Sequence, residues 1–172
     1  MVGKLDWEPA AGRADLLADP VAAVIGGVPD AETAAIDPEL ADTAAFCERY
    51  DVPLEASANC VVVAAKRGGE VTYAACMVLA TDRADVNGVV RKHLGARKVS
   101  FAPMDQATSL TGMEYGGITP VGLPAGWPVL VDEAVAAAPR VVIGSGLRKS
   151  KILLPGKALA GLPGAEVIAL AR

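Results

Sequence analysis

Apolar residues in this chain come in short blocks broken by glycine, proline and charge, and most of the blocks read as strands. Residues 59–65 and 71–80 are continuous runs of small and β-branched residues on either side of Lys66-Arg67-Gly68-Gly69. They predict a β-hairpin buried on at least part of both faces. A pivot at Gly68 would set Cys60 opposite Cys76. Shorter strands are expected at 33–36, 98–101, 128–131, 141–143, 152–154 and 166–169. Asp37-Pro38-Glu39 has the form of a helix start, with an N-cap, a proline at the first helical position and an acid in the first turn. Leu40, Ala44, Cys47 and Val52 would share the apolar face of that helix.

A second helix is predicted over 82–94, capped by Thr81 or Asp82. Val86, Val89, Val90 and Leu94 form its stripe, and Gly95 ends it. Arg91, Lys92 and His93 fall in its last turn, where positive charge opposes the helix dipole. Shorter helices are expected at 13–18, 103–110 and 155–162. Many short strands mixed with a few helices predict an α+β domain on a mixed, largely antiparallel sheet. Residues 1–30, rich in glycine, proline and acids, read as an irregular lead-in to a domain at 31–172.

Composition narrows the class. At 172 residues the chain is the size of one domain, and 52% hydrophobic with 21% charged residues excludes a disordered polypeptide. No apolar run approaches the roughly 18 residues of a membrane span, and the first 17 residues lack a signal-type stretch. A soluble, cytoplasmic protein with no membrane partner is expected. Three cysteines, Cys47, Cys60 and Cys76, have no C-x-x-C spacing, and His93 is the only histidine. This favours free thiols over disulfides and leaves little material for a metal site or a histidine-dependent hydrolase apparatus.

Charge is unevenly distributed. The first 55 residues hold 12 acids and three bases, the remainder eight acids and 13 bases, and residues 140–157 carry five bases and no acid. That basic segment is either ordinary solvated surface or a patch for a phosphate-bearing ligand. The acidic overall balance argues against indiscriminate nucleic-acid binding, and no DNA partner is expected.

The phosphate-loop, dinucleotide and nucleophile-elbow signatures are absent. What stands out is 111–124, with four glycines and two prolines in 14 residues. The amides of Gly116 and Gly117 could donate hydrogen bonds to a carbonyl or carboxylate, or the glycines could serve two tight turns.

Three segments in order resemble one family: Leu94-Gly95-Ala96-Arg97-Lys98, Leu110-Thr111-Gly112, and Gly116-Gly117-Ile118-Thr119-Pro120-Val121-Gly122. They look like signatures of the YbaK/ProX group of aminoacyl-tRNA deacylases, relatives of the editing domain of bacterial prolyl-tRNA synthetases. Gly116 to Pro120 matches the G-x-x-x-P loop of that family. Pro128 to Asp132 resembles its following strand, and Val142 to Arg148 its late glycine turn. The likeness runs from about Ile36 to about Ile168.

The resemblance implies an α+β fold with a mixed, partly closed sheet around a small pocket. It also implies hydrolysis of the ester of a mischarged aminoacyl-tRNA, with no metal or cofactor and with the tRNA acceptor end as partner. In that picture Gly116 and Gly117 orient the aminoacyl carbonyl, while Ile118, Thr119 and Pro120 shape the wall. The late turn, Gly144-Ser145-Gly146 with Arg148, lies near the pocket mouth. Val61, Val63, Met77 and Leu79 are candidates for sizing the pocket.

One departure stands out. The family's functional lysine would fall on Ala58 or Asn59, depending on gap placement, and neither is lysine. Lys66 lies seven residues beyond Asn59, about 23 Å along an extended strand, so Lys151 is the candidate substitute. Two readings follow. One is a trans-editing deacylase that positions ester and water with Asn59 and backbone amides. The other is a non-catalytic module binding an aminoacyl or nucleotide-like ligand in the same pocket. A thiol redox protein using Cys60 and Cys76 is a third, and the cysteines' apolar surroundings argue against it.

Overall fold

The computed structural model describes residues 2–172 of the chain. In chain order the elements begin with β1 (Glu8–Pro9), α1 (Asp19–Ala22), β2 (Glu32–Ala35), α2 (Thr43–Tyr50), β3 (Ala58–Arg67) and β4 (Glu70–Leu79). Then come α3 (Arg91–Leu94), β5 (Lys98–Phe101), α4 (Met104–Thr111), β6 (Val129–Asp132) and α5 (Glu133–Ala137). Last are β7 (Val141–Gly144), β8 (Ser150–Leu154), α6 (Gly156–Ala160) and β9 (Ala165–Ile168).

The strands form two sheets, and neither closes. One runs β1-β2-β8-β7 with antiparallel neighbours throughout. The other runs β5-β3-β4-β6-β9, antiparallel across the β3–β4 hairpin and parallel from β4 to β9. A single parallel bridge, Ser57 to Val142, joins them. The fold is therefore α+β and mostly antiparallel, with two open sheets rather than one partly closed sheet.

The hairpin forms as the apolar runs dictate, with one change of register. Its turn is the two-residue Gly68-Gly69, both at positive φ (57° and 84°), and Arg67 pairs with Glu70. Two left-handed residues in a row are the backbone of the tight hairpin turn that matches strand twist, and glycine adopts them without a Cβ penalty. Cys60 consequently pairs with Met77, and Cys76 pairs with Val61. A one-residue shift exchanges faces, so Cys60 packs on the core that includes Ile143, and Cys76 on the core that includes Val99.

The helix expected from residue 37 begins as one tight turn, Pro38–Leu40, with Asp37 accepting from the Glu39 amide at 3.0 Å. The α-helix proper starts at Thr43 and buries Phe46 and Cys47 instead of Leu40 and Ala44. The segment expected as a helix over 82–94 instead makes a wide turn at Val86–Val90 and then α3. Val90 donates to the Asp85 carbonyl five residues back, and the Asp85 carboxylate accepts from the Gly88 and Val89 amides. Such π-type turns concentrate near functional sites. Within the expected lead-in, residues 2–30 hold only short elements yet contribute to the core. Ala10 and Val21 are fully buried, packed with Ile25 against Ile152 and Leu154.

Candidate active site

The second sheet leaves one strand edge open. β5 pairs with β3 only from Val63 to Lys66, and Ala102 adds a hydrogen bond to the Val62 carbonyl. By the two-residue alternation of an antiparallel strand, the main-chain groups of Cys60 point the same way as that carbonyl, toward the open edge. Beside this edge, where the two sheets meet at Ser57 and Val142, lies a cavity of about 330 Å³. Ala58, Asn59, Gly116, Ile118, Gly144 and Lys151 line it.

Lys151 is the unusual group. It sits in β8 opposite Ala34 and Gly144, is only 8% exposed, and donates to the Ala41 carbonyl at 2.9 Å. Its ammonium lies 5.2 Å from the Phe46 ring centroid. Burial lowers its pKa to about 8, against a smaller opposing pull from Cys47 and Asp42. An ammonium has three N–H donors, so two remain after the Ala41 bond. Asn59 enters from β3, and Thr43 at the start of α2 donates to its Oδ1 at 2.6 Å. That bond leaves the Asn59 NH2 group as a donor. Asp42 is the carboxylate among the lining residues and lies at the rim, 3.9 Å from Arg148.

The glycine loop divides between the two roles open to it. Gly116, at φ 86°, lines the cavity, and a Cβ there would strike the Arg148 guanidinium. Gly117 does not line it. Its amide donates to the Glu114 carbonyl at 3.0 Å, and its α-carbon packs so closely that a Cβ would sit 2.7 Å from the Leu147 carbonyl oxygen. Gly117 is a tight-packing turn residue, so the expected donor pair of Gly116 and Gly117 is not available to a ligand. Gly144 lines the cavity and lets this loop cross, since a Cβ on it would meet the Gly117 and Ile118 carbonyls.

Other expected site residues support the cavity from behind. Thr119 is fully buried beneath the loop, its amide 3.4 Å from Met113 Sδ, and Pro120 borders a different, larger groove. Ser145 Oγ donates to Ser150 Oγ at 2.6 Å, which in turn donates to the Leu16 carbonyl, and it accepts from the Leu147 amide at 3.2 Å. Gly146 packs on Ala18. Arg148 clamps the loop by donating to the Tyr115 carbonyl at 3.2 Å while its own amide donates to Glu114 Oε1 at 2.8 Å. Val61 lines the cavity; Val63 and Met77 are fully buried elsewhere.

Sequence reasoning missed Asp42, Thr43 and Tyr115. Asp42 and Thr43 carry the only legible signal, residue types common at a helix start, and nothing local shows that this start of α2 faces Asn59. Burial holds the Cys60 and Cys76 thiols well above their ordinary range, so both are protonated. Among the described residues, no group of three or more His, Cys, Asp or Glu is arranged to hold a metal, and no helix is long and apolar enough to cross a membrane.

Comparison with known proteins agrees with this architecture. A crystal structure of a candidate trans-editing enzyme for prolyl tRNA synthetase superimposes with a TM-score of 0.75 at 19% identity, covering 97% of this chain and 99% of that one. The hypothetical protein APE2540 gives 0.79 at 19%, covering 90% and 100%. A scaffold from computational epitope grafting gives 0.76 at 20%, covering 90% and 97%. At such identities these likenesses establish the fold. The aminoacyl-tRNA editing domain family matches residues 37–162, which is most of the chain and includes Asn59, Gly116 and Lys151; the protein belongs to that family.

Proposed function

We propose that the protein is a trans-editing hydrolase that cleaves the ester of mischarged aminoacyl-tRNA in the cavity between the two sheets. The observation that carries this reading is the meeting of Lys151, Asn59 and the open β3 edge in one small cavity. The position at which the family lysine falls holds Asn59 or Ala58, and the buried ammonium of Lys151 reaches the same space from β8. A positive charge is thereby restored to the cavity by a different strand.

In this reading the ester carbonyl lies against Lys151 Nζ, the Asn59 NH2 group and the main-chain edge at Cys60. Donors fixed at the position where negative charge develops are the largest common contribution to acyl-transfer catalysis. Water attacks the carbonyl carbon, the C–O bond to the ribose breaks, and the ribose oxygen leaves as a hydroxyl with the proton from water. Asp42 at the rim takes the α-ammonium of the aminoacyl group. Ile118, Val142 and Ile143 bound the space left for its side chain.

The test is incubation with a panel of mischarged tRNAs. Protein-dependent loss of the aminoacyl group from a subset of them, abolished in Lys151→Met, is the expected result. Binding without turnover of any member would establish the non-catalytic module instead.

A further inference from the structure

Lys151 carries a chemistry that ester hydrolysis does not use, because a buried amine at a cavity wall is also a nucleophile. We propose that Lys151 is a modification site: a small activated acyl group, such as an acyl phosphate carries, enters the cavity of about 330 Å³ and is transferred to Nζ as an amide, and the modified cavity no longer turns over. The modification rests on the geometry of the cavity. Its effect on turnover rests on the hydrolase reading.

The amine is held in place and is reached through the cavity. β8 runs between β2 and β7, with Lys151 paired to Ala34 on one side and Gly144 on the other. The side chain is buried, and Lys151 is one of the residues that line the cavity. The Ala41 carbonyl accepts one N–H at 2.9 Å, and the Phe46 ring centroid lies 5.2 Å away. A nucleophile fixed in this way meets an acyl group seated in the same cavity without a further search for orientation.

Acylation also suits the surroundings better than the charge does. A buried ammonium is costly, and an amide is neutral. An amide nitrogen keeps one N–H, which is all that the Ala41 carbonyl takes, so no buried hydrogen bond is lost. The Asn59 NH2 group, on the far side of its bond to Thr43, is a donor in the same cavity for the new carbonyl oxygen. Ala58, Cys60, Ile118 and Gly144 leave small, mostly apolar walls for the acyl chain.

Burial supplies the reactive form. Cys47 and Asp42 hold the Lys151 pKa up and Arg148 pushes it down, but burial dominates and brings it to about 8. About a tenth of the amine is then neutral at pH 7, against fewer than about one in a thousand for an ordinary lysine. Burial raises the Cys47 thiol, so the neighbouring sulfur stays protonated and does not compete. The neutral amine attacks the acyl carbonyl carbon, the N–C bond forms as the bond to phosphate breaks, phosphate leaves with the electron pair, and the nitrogen's proton goes to water.

Incubation with acetyl phosphate at about pH 7.5, followed by peptide mass spectrometry over time, tests the site, with the exposed Lys149 as internal reference. In the folded protein Lys151 should be acetylated at least about tenfold faster than Lys149. In urea the two rates should become equal, because the preference comes from the fold. The Lys151 rate should level off above pH 8 while the Lys149 rate keeps rising. Deacylation of mischarged tRNA should fall in proportion to the fraction of Lys151 acetylated. Equal rates at the two lysines in the folded protein, a preference that persists in urea, or full acetylation of Lys151 with unchanged turnover would overturn the proposal. Preferential acetylation in a protein that cleaves no mischarged ester would leave the modification site standing and remove the hydrolase reading. Ester cleavage by a protein whose Lys151 resists acetylation would do the reverse.

Discussion

Two cavities of this molecule differ in size and in chemistry, and the smaller one is the better candidate for catalysis. The larger, of about 810 Å³, is a groove walled by prolines and by Trp127, Leu123 and Leu162. The smaller, of about 330 Å³, holds the buried Lys151 and the Asn59 amide. Size and apolar lining usually mark a ligand site, and by that measure the proline-walled groove would be chosen. It nevertheless carries no buried charge, and its polar members, Lys157 and Glu166, are exposed. Glu166 is already paired with His93 at 2.8 Å. A buried ammonium is costly unless something compensates it, so its retention in the smaller cavity is the stronger pointer to chemistry.

The comparison breaks most readily at Lys151. Lys151→Met keeps an unbranched stem in β8 while removing the charge, so the fold should survive. Deacylation should fall about a hundredfold to a thousandfold, the usual effect of removing one donor to a developing oxyanion. A rate within threefold of the parent would mean that the buried ammonium has no part in the reaction. Asn59→Ala should follow with a loss of about ten to a hundredfold, read as kcat on the same substrate. Because Thr43 fixes the Asn59 side chain, Thr43→Val should give a smaller loss in the same direction.

The pH profile sharpens the assignment. With its pKa lowered to about 8 by burial, Lys151 is mostly an ammonium at pH 7. Enzymatic hydrolysis, corrected for the spontaneous reaction, should fall about tenfold for each pH unit well above 8, and this limb should be missing in Lys151→Met. Stability should move the opposite way. The unfolded chain holds this proton up to about 10.5, so between 8 and 10.5 it binds more protons than the native state, and Lys151 makes unfolding less favourable as pH rises. Urea denaturation at pH 7 and 9.5 on parent and Lys151→Met would show it.

Smaller effects separate the loop glycines and the larger groove. Gly117→Ala should cost about 1–3 kcal/mol of stability by forcing the loop off Leu147, visible as a lower Tm with KM little changed. Lys157→Ala and Leu123→Ala in the proline-walled groove should leave turnover within twofold. The double change of Cys60 and Cys76 to alanine should stay within a fewfold, because the two thiols are protonated and lie on opposite faces of the hairpin.

Much of the fold could be read from local chemistry. The β3–β4 hairpin, β5 at Lys98–Phe101 and the stop at Gly95 follow from β-branched runs and from a glycine at positive φ. Where the reading slipped, a non-local or subtle local term decided. Placing the turn on Gly68-Gly69 instead of Gly68 alone moved Cys60 away from Cys76. The five-residue α5 at Glu133–Ala137 is too short for periodicity to register, and the Asp132 side chain starts it by accepting from the Ala134 amide at 3.1 Å.

The site divides along the same line. Composition singled out the glycine loop, and the family resemblance carried by the sequence pointed to Ala58 or Asn59 in place of a lysine and to Lys151 as the candidate substitute. Tertiary structure decided which of them meet. Lys151 lies 92 residues from Asn59, and only the pairing of β8 beside β7, with β7 bridged to the start of β3 at the junction of two open sheets, brings both to one cavity. The same packing turned the Gly117 amide onto Glu114 and set Gly116 in the cavity wall with its α-carbon against the Arg148 guanidinium. Adjacent glycines are chemically identical, and only the contacts made by the rest of the chain assign one to the cavity wall and the other to the turn beneath it.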